Sequence, residues 1–235
     1  MLSPLRRAVQ THKMIQDGDR VAVGLSGGKD SLVLLTALKA YQRFSPQKFE
    51  LCAVTIDMGL NQDLTKVIRY CKKLKVPYHI EPSNIAPVVF ELRKEKNPCS
   101  LCSKMRRGLL NSTLNRLGCN KLALAHHADD LMETFFLSLL HEGRLNTFAP
   151  MSYMSRAGIT VIRPLVLASE NEITLYAKAA RLPILHNPCP VNRLTQREYM
   201  KNLIKKLDAE LAGSKTNIFG ALTNPQRSNL WQPPQ

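Results

Sequence analysis

Nowhere in its 235 residues does the chain hold an apolar run near the ~20 residues that a membrane-spanning helix requires, so no membrane association is expected. The opening residues Met1-Leu2-Ser3-Pro4-Leu5-Arg6-Arg7 lead into polar sequence rather than the apolar core of a signal peptide. The first strand pattern then follows too soon for a transit peptide, and a cytoplasmic location is expected. Internal repeats and low-complexity blocks are also absent, which leaves one sizeable α/β domain with room for a small appendage. Acidic residues are scarce: 18 Asp and Glu stand against 33 Lys and Arg, a net charge of +15. That balance favours a polyanionic partner, because each neutralised phosphate releases counterions, although a merely basic soluble protein shows the same excess. Six cysteines in a cytosolic chain of this size do not read as a disulfide framework. Cys52, Cys71 and Cys119 lie among apolar neighbours and read as core thiols; Cys99, Cys102 and Cys189 stand in different surroundings.

The hydrophobic pattern alternates between strand and helix. A short basic helix is expected in residues 1–19, a catalytic domain in 20–190, and a basic helix followed by an irregular, proline-containing tail in 191–235. Within the central segment, strands are expected at Arg20–Leu25, Phe49–Ile56, Pro77–Ile80, Lys121–Ala125 and Ile159–Ile162. Helices are expected from Asp30 to about Phe44, Leu64–Leu74, Cys99 to about Leu117, and Leu131–Leu140. Ser169 and Glu172 have capping-box spacing for another, and the last runs from about Leu194 to Leu211. Such alternation means a parallel twisted sheet with helices on both faces, with ligands at the carboxyl ends of its strands.

Ser26-Gly27-Gly28-Lys29-Asp30-Ser31 joins the first strand to the first long helix. Gly27 and Gly28 permit positive φ and close approach of backbone N–H groups to an anion, and the following helix turns its positive end toward that anion. Ser26 and Ser31 add hydroxyls and Lys29 a full charge. Asp30 between Lys29 and Ser31 breaks the Walker A pattern, and the loop is not G-x-G-x-x-G either, so a dinucleotide is disfavoured. Asp57 closes the second strand beside this loop, as a nucleotide contact or a solvated strand end.

Ala125-His126-His127-Ala128-Asp129-Asp130-Leu131-Met132-Glu133 follows another strand. Helical spacing puts Asp129, Asp130 and Glu133 on one side, where they suit Mg²⁺ bridging ATP phosphates or simply cap a helix N-terminus. Pro98-Cys99-Ser100-Leu101-Cys102 sets two thiols two residues apart, and Cys189 sits in a proline-bounded turn. A redox dithiol, a zinc site with His186 as fourth ligand, and a three-cysteine iron–sulfur site remain open from spacing alone. Arg193, Arg197, Lys201 and Lys205 recur every four residues, and Arg93, Lys94, Lys96, Lys104, Arg106 and Arg107 flank the cysteine pair. Each group is either a solvated face or a phosphate-backbone contact.

The six-residue loop and the Ala-His-x-x-Asp-Asp stretch resemble the PP-loop ATP pyrophosphatases, which cleave ATP between its α and β phosphates. With Cys-Ser-Leu-Cys-Ser-Lys-Met-Arg-Arg-Gly, Val-Ile-Arg-Pro-Leu and the late Cys-Pro, the resemblance narrows to the tRNA 2-thiolation enzymes. The 2-thiocytidine synthetases look nearest, and 2-thiouridine synthetases are related; together the matched segments cover about residues 15 to 210. The resemblance implies an adenine nucleotide alpha hydrolase-like fold and an ATP site at Ser26, Gly27, Gly28, Lys29, Asp30, Ser31, Asp57 and His126. It also implies a 4Fe–4S cluster on Cys99, Cys102 and Cys189, whose open iron carries the transferred sulfur, with Lys29, Arg106 and Asp130 as catalytic residues. The implied reaction adenylylates the C2 oxygen of a pyrimidine in tRNA, most nearly an anticodon-loop cytidine, and replaces it with sulfur from sulfide or a cysteine desulfurase; a homodimer is implied as well. Two departures stand out: the terminal zinc-binding cysteine pairs of the thiouridine type are missing, and Cys-Pro-Val-Asn differs from the usual surroundings of the third cysteine. A lysidine-synthetase-like ligase shares the loop and acids without needing the cysteines, and a zinc-stabilised tRNA-binding module is the non-enzymatic alternative.

Overall fold

The computed structural model describes residues 1–93, 98–186, 188–189, 196–224 and 226. They fall into two compact units: Met1–His127 with Ala149–Pro190, and Ala128–Phe148 with Val191–Gln235. The first holds helices α1 (Leu2–Thr11), α2 (Lys29–Tyr41) and α3 (Thr65–Leu74) among strands β1 (Arg20–Gly24), β2 (Glu50–Asp57) and β3 (Tyr78–Pro82). A short turn α4 (Ile85–Pro87) continues into a π-type turn at Val88–Leu92, and α5 (Pro98–Arg116) leads to β4 (Lys121–Ala123). In the second unit, α6 (Ala128–Leu137) runs into a π-type turn at Ser138–Glu142. The chain then re-enters the first unit with β5 (Met151–Met154), β6 (Ile159–Ile162) and α7 (Glu170–Ala179) before α8 (Gln196–Glu210) and α9 (Ser214–Thr223) complete the second.

The six strands are ordered β3-β2-β1-β4-β6-β5. All neighbours are parallel except β5, which pairs antiparallel with β6 through a turn at Gly158, where φ is +68°. The sheet is therefore parallel with one antiparallel edge. β5 lacks the apolar run that marks the buried strands, and Tyr153 is exposed, so periodicity did not reveal it. The irregular tail is corrected over Ser214–Thr223, which is helical although it carries neither a side-chain N-cap nor a buried face.

Val21, Ala22 and Val23 of β1 are fully buried, as a central strand covered on both faces requires. On Ala22's face, Leu114 of α5 packs with Val54, Leu122, Ile159 and Val161. α2 buries Leu32, Val33, Leu34, Leu35, Ala37 and Leu38, and is flanked by β1, α1 and α7. That near-continuous burial explains why α2 reads as an apolar run rather than a one-sided stripe. β2 and β3 build outward on one side of β1 while β4 and β6 build on the other. The order reverses between β1 and β4, and ligands of doubly wound sheets bind at such a reversal.

The capping box is present. Ser169 Oγ accepts from the Glu172 N–H at 3.2 Å, and the Ser169 N–H donates to Glu172 Oε2 at 2.8 Å. Ser169→Ala should cost about 1 kcal/mol, because the cap satisfies orphan donors of α7's first turn. For a chain of this size that is a fall of roughly 2–4 °C in melting temperature, read by calorimetry, with Ser169→Asn recovering most of it.

Candidate active site

β1 ends at Gly24, and the Leu25 N–H donates to the Val54 carbonyl at 2.8 Å, carrying the sheet one residue past the strand. The chain then turns through Ser26, Gly27 and Gly28 into α2. Gly27 has φ +77°, and a Cβ there would lie 2.8 Å from Leu185 Cδ1. The Leu185 N–H donates to the Gly27 carbonyl at 2.9 Å, so glycine is required by conformation and by close packing alike. Ser31 braces the loop from within. Its hydroxyl accepts from the Ser26 N–H at 3.2 Å and donates to the Gly28 carbonyl at 3.0 Å. Ser26 Oγ lies 3.2 Å from Ser31 Oγ and accepts from the Gly28 N–H at 3.3 Å.

Lys29 Nζ lies 2.7 Å from Asp30 Oδ1 and 3.2 Å from Glu170 Oε1 at the start of α7. Burial, the largest single influence, pulls the Lys29 pKa down, but Asp30 and then Glu170 together outweigh it and raise it above the usual lysine value. His127 is buried, and its Nε2 lies 3.9 Å from Asp30 Oδ1, joining the segment after β4 to the loop after β1. His126 takes a different neighbour: its Nδ1 accepts from Arg163 Nε at 3.3 Å. Burial lowers the Arg163 pKa, and Arg163 also donates to the Ala149 carbonyl at 2.7 Å. The two adjacent histidines thus take different partners.

A cleft of about 330 Å³ opens at the carboxyl ends of β1 and β2. Ser26, Gly28, Asp57, Cys102, Arg106 and Cys189 all line it, over an apolar floor that includes Leu25, Ile56, Leu110 and Leu124. Residues far apart in sequence thus share one cavity. Asp57 Oδ1 accepts from the Gly59 N–H at 3.0 Å, which fixes the turn after β2. Gly27, Lys29, Asp30, Ser31, His126 and Cys99 are not part of the cleft lining. Glu170 and Leu185 support the loop although no local motif singled them out, and His127 of the acidic motif joins them; only the fold brings all three to it.

Cys102 sits one turn of α5 before Arg106. Burial, first, raises the Cys102 pKa; Arg106 works against that, and Cys189 and Cys99 add to it, so the three thiols are electrostatic neighbours. Cys99 is exposed at the start of α5, while Cys102 and Cys189 are half-buried. Among the described residues, no three His, Cys, Asp or Glu side chains already converge on a common metal position. The donor set nevertheless fits an iron–sulfur cluster in kind: three free thiols, two of them on one cavity wall and the third on the same helix.

The second unit carries the acids, and there they have basic partners. Arg197 Nη1 lies 3.5 Å from Asp130 Oδ1 and 3.4 Å from Glu133 Oε2, and Lys215 pairs with Asp129. Burial, and then Asp130, push the Glu133 pKa up to about 7 against the pull of Arg197 and Lys201. Arg197 therefore pairs with its own unit's carboxylates while staying exposed. Lys205 is exposed, whereas Arg193, Lys94 and Lys96 lie outside the described residues.

A braced glycine loop at the reversal point of a doubly wound sheet defines a nucleotide-binding α/β protein. The chain belongs to the PP-loop family, whose domain model matches residues 3–207. It is 40% identical over 224 residues to a tRNA-cytidine(32) 2-sulfurtransferase of Geobacter sulfurreducens, covering 94% of this chain and 87% of that protein. It is 39% identical over 228 residues to the enzyme of the same name from Pseudomonas putida, covering 95% of this chain and 82% of that one. Among solved structures, the U34-tRNA thiolase NcsA of Methanococcus maripaludis, determined with its 4Fe–4S cluster, superposes with a TM-score of 0.76 at 24% identity. The match covers 96% of this chain and 78% of that one, and establishes a shared fold.

Proposed function

We propose that this protein is an ATP-dependent tRNA sulfurtransferase that activates the C2 oxygen of an anticodon-loop cytidine and replaces it with sulfur. The observation that carries the reading is the single cleft in which Ser26 and Gly28 of the phosphate loop meet Cys102, Arg106 and Cys189. A nucleotide-activating loop and a sulfur-handling wall share one cavity, as a two-stage replacement needs. The relatives' names supply the tRNA and the base.

In this mechanism the loop N–H groups, the positive end of α2 and the Lys29 charge receive the triphosphate. The C2 oxygen attacks the α phosphorus, the bond to the β phosphate breaks, and pyrophosphate leaves toward the loop. Asp57 takes the adenosine side, and Arg106 faces the negative charge that develops as the bond order at C2 shifts. Sulfur then bonds to C2 and the C2–O bond breaks, releasing AMP. Cys99, Cys102 and Cys189 would hold the 4Fe–4S cluster, which supplies an open iron position for the incoming sulfur. Mg²⁺ would neutralise phosphate charge on the nucleotide, and Asp130 is the carboxylate that would serve the metal or the base. His126 completes the nucleotide contacts. Sulfide or a cysteine desulfurase supplies the sulfur, and the enzyme works as a cytoplasmic homodimer. Among the described residues no helix is long and apolar enough to cross a membrane.

Nucleoside mass spectrometry tests the whole assignment. Anaerobically reconstituted protein with ATP, Mg²⁺, sulfide and unmodified tRNA should yield 2-thiocytidine together with pyrophosphate and AMP. A product carrying an amine instead of sulfur, or tRNA binding without pyrophosphate release, would replace the reading with a ligase or a binding module.

A further inference from the structure

A second pair of thiols lies apart from the cleft. Cys52 stands on β2 opposite Ala22 of β1, and Cys119 lies just before β4, on the far side of β1. Both belong to the cluster packed around Ala22, Leu114 and Leu122. The two sulfurs nevertheless meet at 3.6 Å. Both also line a cavity of about 420 Å³ with Arg20, Glu50, His79 and Leu117. Arg20, Glu50 and Cys52 belong to the starts of their strands, so this cavity opens at the end of the sheet opposite the phosphate loop.

The surroundings are those of a reactive thiol rather than an inert core residue. Gly118, with φ +66°, brings its backbone so close to Arg20 that a Cβ would lie 2.7 Å from Nη1, which sets the guanidinium beside Cys119. Glu50 Oε2 holds Arg20 Nε at 2.7 Å and partly offsets its charge. The hydrogen bond from Cys52, first, and then Arg20 favour the thiolate at Cys119, while Cys52 is held as the thiol. Cys71 provides the contrast: it is buried without such partners, and burial pushes its pKa up to about 11.

We infer that Cys52 and Cys119 form an oxidisable dithiol that closes to a disulfide when hydrogen peroxide reaches the second cavity. The Cys119 thiolate attacks the peroxide oxygen, the O–O bond breaks, and the departing hydroxide is protonated to water, leaving a sulfenic acid. Cys52 Sγ then attacks the sulfenic sulfur; the S–S bond forms, the S–O bond breaks, and hydroxide leaves as water with the Cys52 proton. Two thiols are thereby oxidised by two electrons, and one peroxide is reduced to two waters. The sulfurs must close from 3.6 Å to the disulfide length of about 2.05 Å, and because β1 lies between the two residues, the turn carrying Gly118 and Cys119 must move inward with them. In a reducing cytosol such a bond is transient, as redox-sensing disulfides are.

Peptide mapping of the full chain tests this without any variant. Reduced protein is exposed anaerobically to stoichiometric hydrogen peroxide, denatured in an alkylating agent, digested, and mapped by mass spectrometry. The expected product joins the Cys52 and Cys119 peptides, is lighter by two hydrogens than their sum, and disappears on reduction with dithiothreitol. In Cys52→Ser, Cys119 should instead be trapped as its dimedone adduct. Full alkylation of both residues at a peroxide dose that oxidises Cys99 or Cys102 overturns the proposal. A Cys119 crosslink that prefers another partner overturns it as well.

Discussion

Replacing Lys29 with Ala lowers tRNA-dependent pyrophosphate release by roughly 10²–10³-fold, the usual effect of removing one preorganised group that stabilises transition-state charge. The reason lies in how the ammonium is held. It is half-buried at the start of α2, where burial alone would favour the neutral amine, yet Asp30 and Glu170 raise its pKa above the usual value. Lys29 is therefore charged at every pH at which the enzyme works, and it does not set the basic limb of a pH–rate profile. A triphosphate in the loop offers Nζ a stronger anionic partner than either carboxylate, and the gain grows as negative charge builds on the leaving pyrophosphate. The loss should thus fall more on kcat than on KM. Glu170→Gln, which leaves Asp30 in place, should reduce the same rate by only a few-fold, roughly the worth of one partly exposed ion pair. Pyrophosphate release measured in parallel with ATP binding by calorimetry separates the two variants. A Lys29→Ala rate within threefold of wild type would show that the loop amides and the metal suffice.

The contrast between Lys29 and Glu170 also shows what the sequence made legible. Strand, glycines, hydroxyls and helix lie within a dozen residues, so local chemistry names the loop; the structure adds that Ser31 braces it from inside. Glu170 and Leu185 reach the same loop from far along the chain, in positions where an acid at a helix start or a leucine in a turn is ordinary by itself. His126 and His127 fall between these cases. They stand in one motif, but which of them meets the loop depends on the register of β4 against β1, which pairs Val23 with Ala123. The parallel core was legible from apolar runs such as Val21–Leu25, whereas edge strand β5 and helix α9 were not, since neither carries a buried face to imprint a period. The pairing of Arg197 with Asp130 and Glu133 was hidden for a related reason. Four-residue spacing reveals that Arg197, Lys201 and Lys205 share a helix face, not what that face meets.

Cys102→Ala and Cys189→Ala each reduce 2-thiocytidine formation to background while leaving ATP binding near wild type. Disturbing the surroundings of a metal ligand already costs roughly 10–100-fold, so losing one of the three proposed ligands should cost at least as much. ATP binding survives because the phosphate loop is braced by its own contacts, Ser31 to Ser26 and Gly28, and Leu185 to Gly27, none of which involves a cysteine. Cys99→Ala should behave like the other two if the exposed thiol at the start of α5 is the third ligand, although it is not part of the cleft lining. Cys71→Ala supplies the control: Cys71 is buried in α3 and belongs to neither cavity, so thiolation should persist. Three measurements on anaerobically reconstituted protein separate the outcomes: iron and sulfide content, 2-thiocytidine by nucleoside mass spectrometry, and pyrophosphate release. Loss of iron and thiolation together, with ATP still bound, assigns the cysteines to sulfur delivery. Unchanged thiolation in Cys102→Ala would remove the cluster from the mechanism, and a sulfur nucleophile would then have to reach the activated base without one.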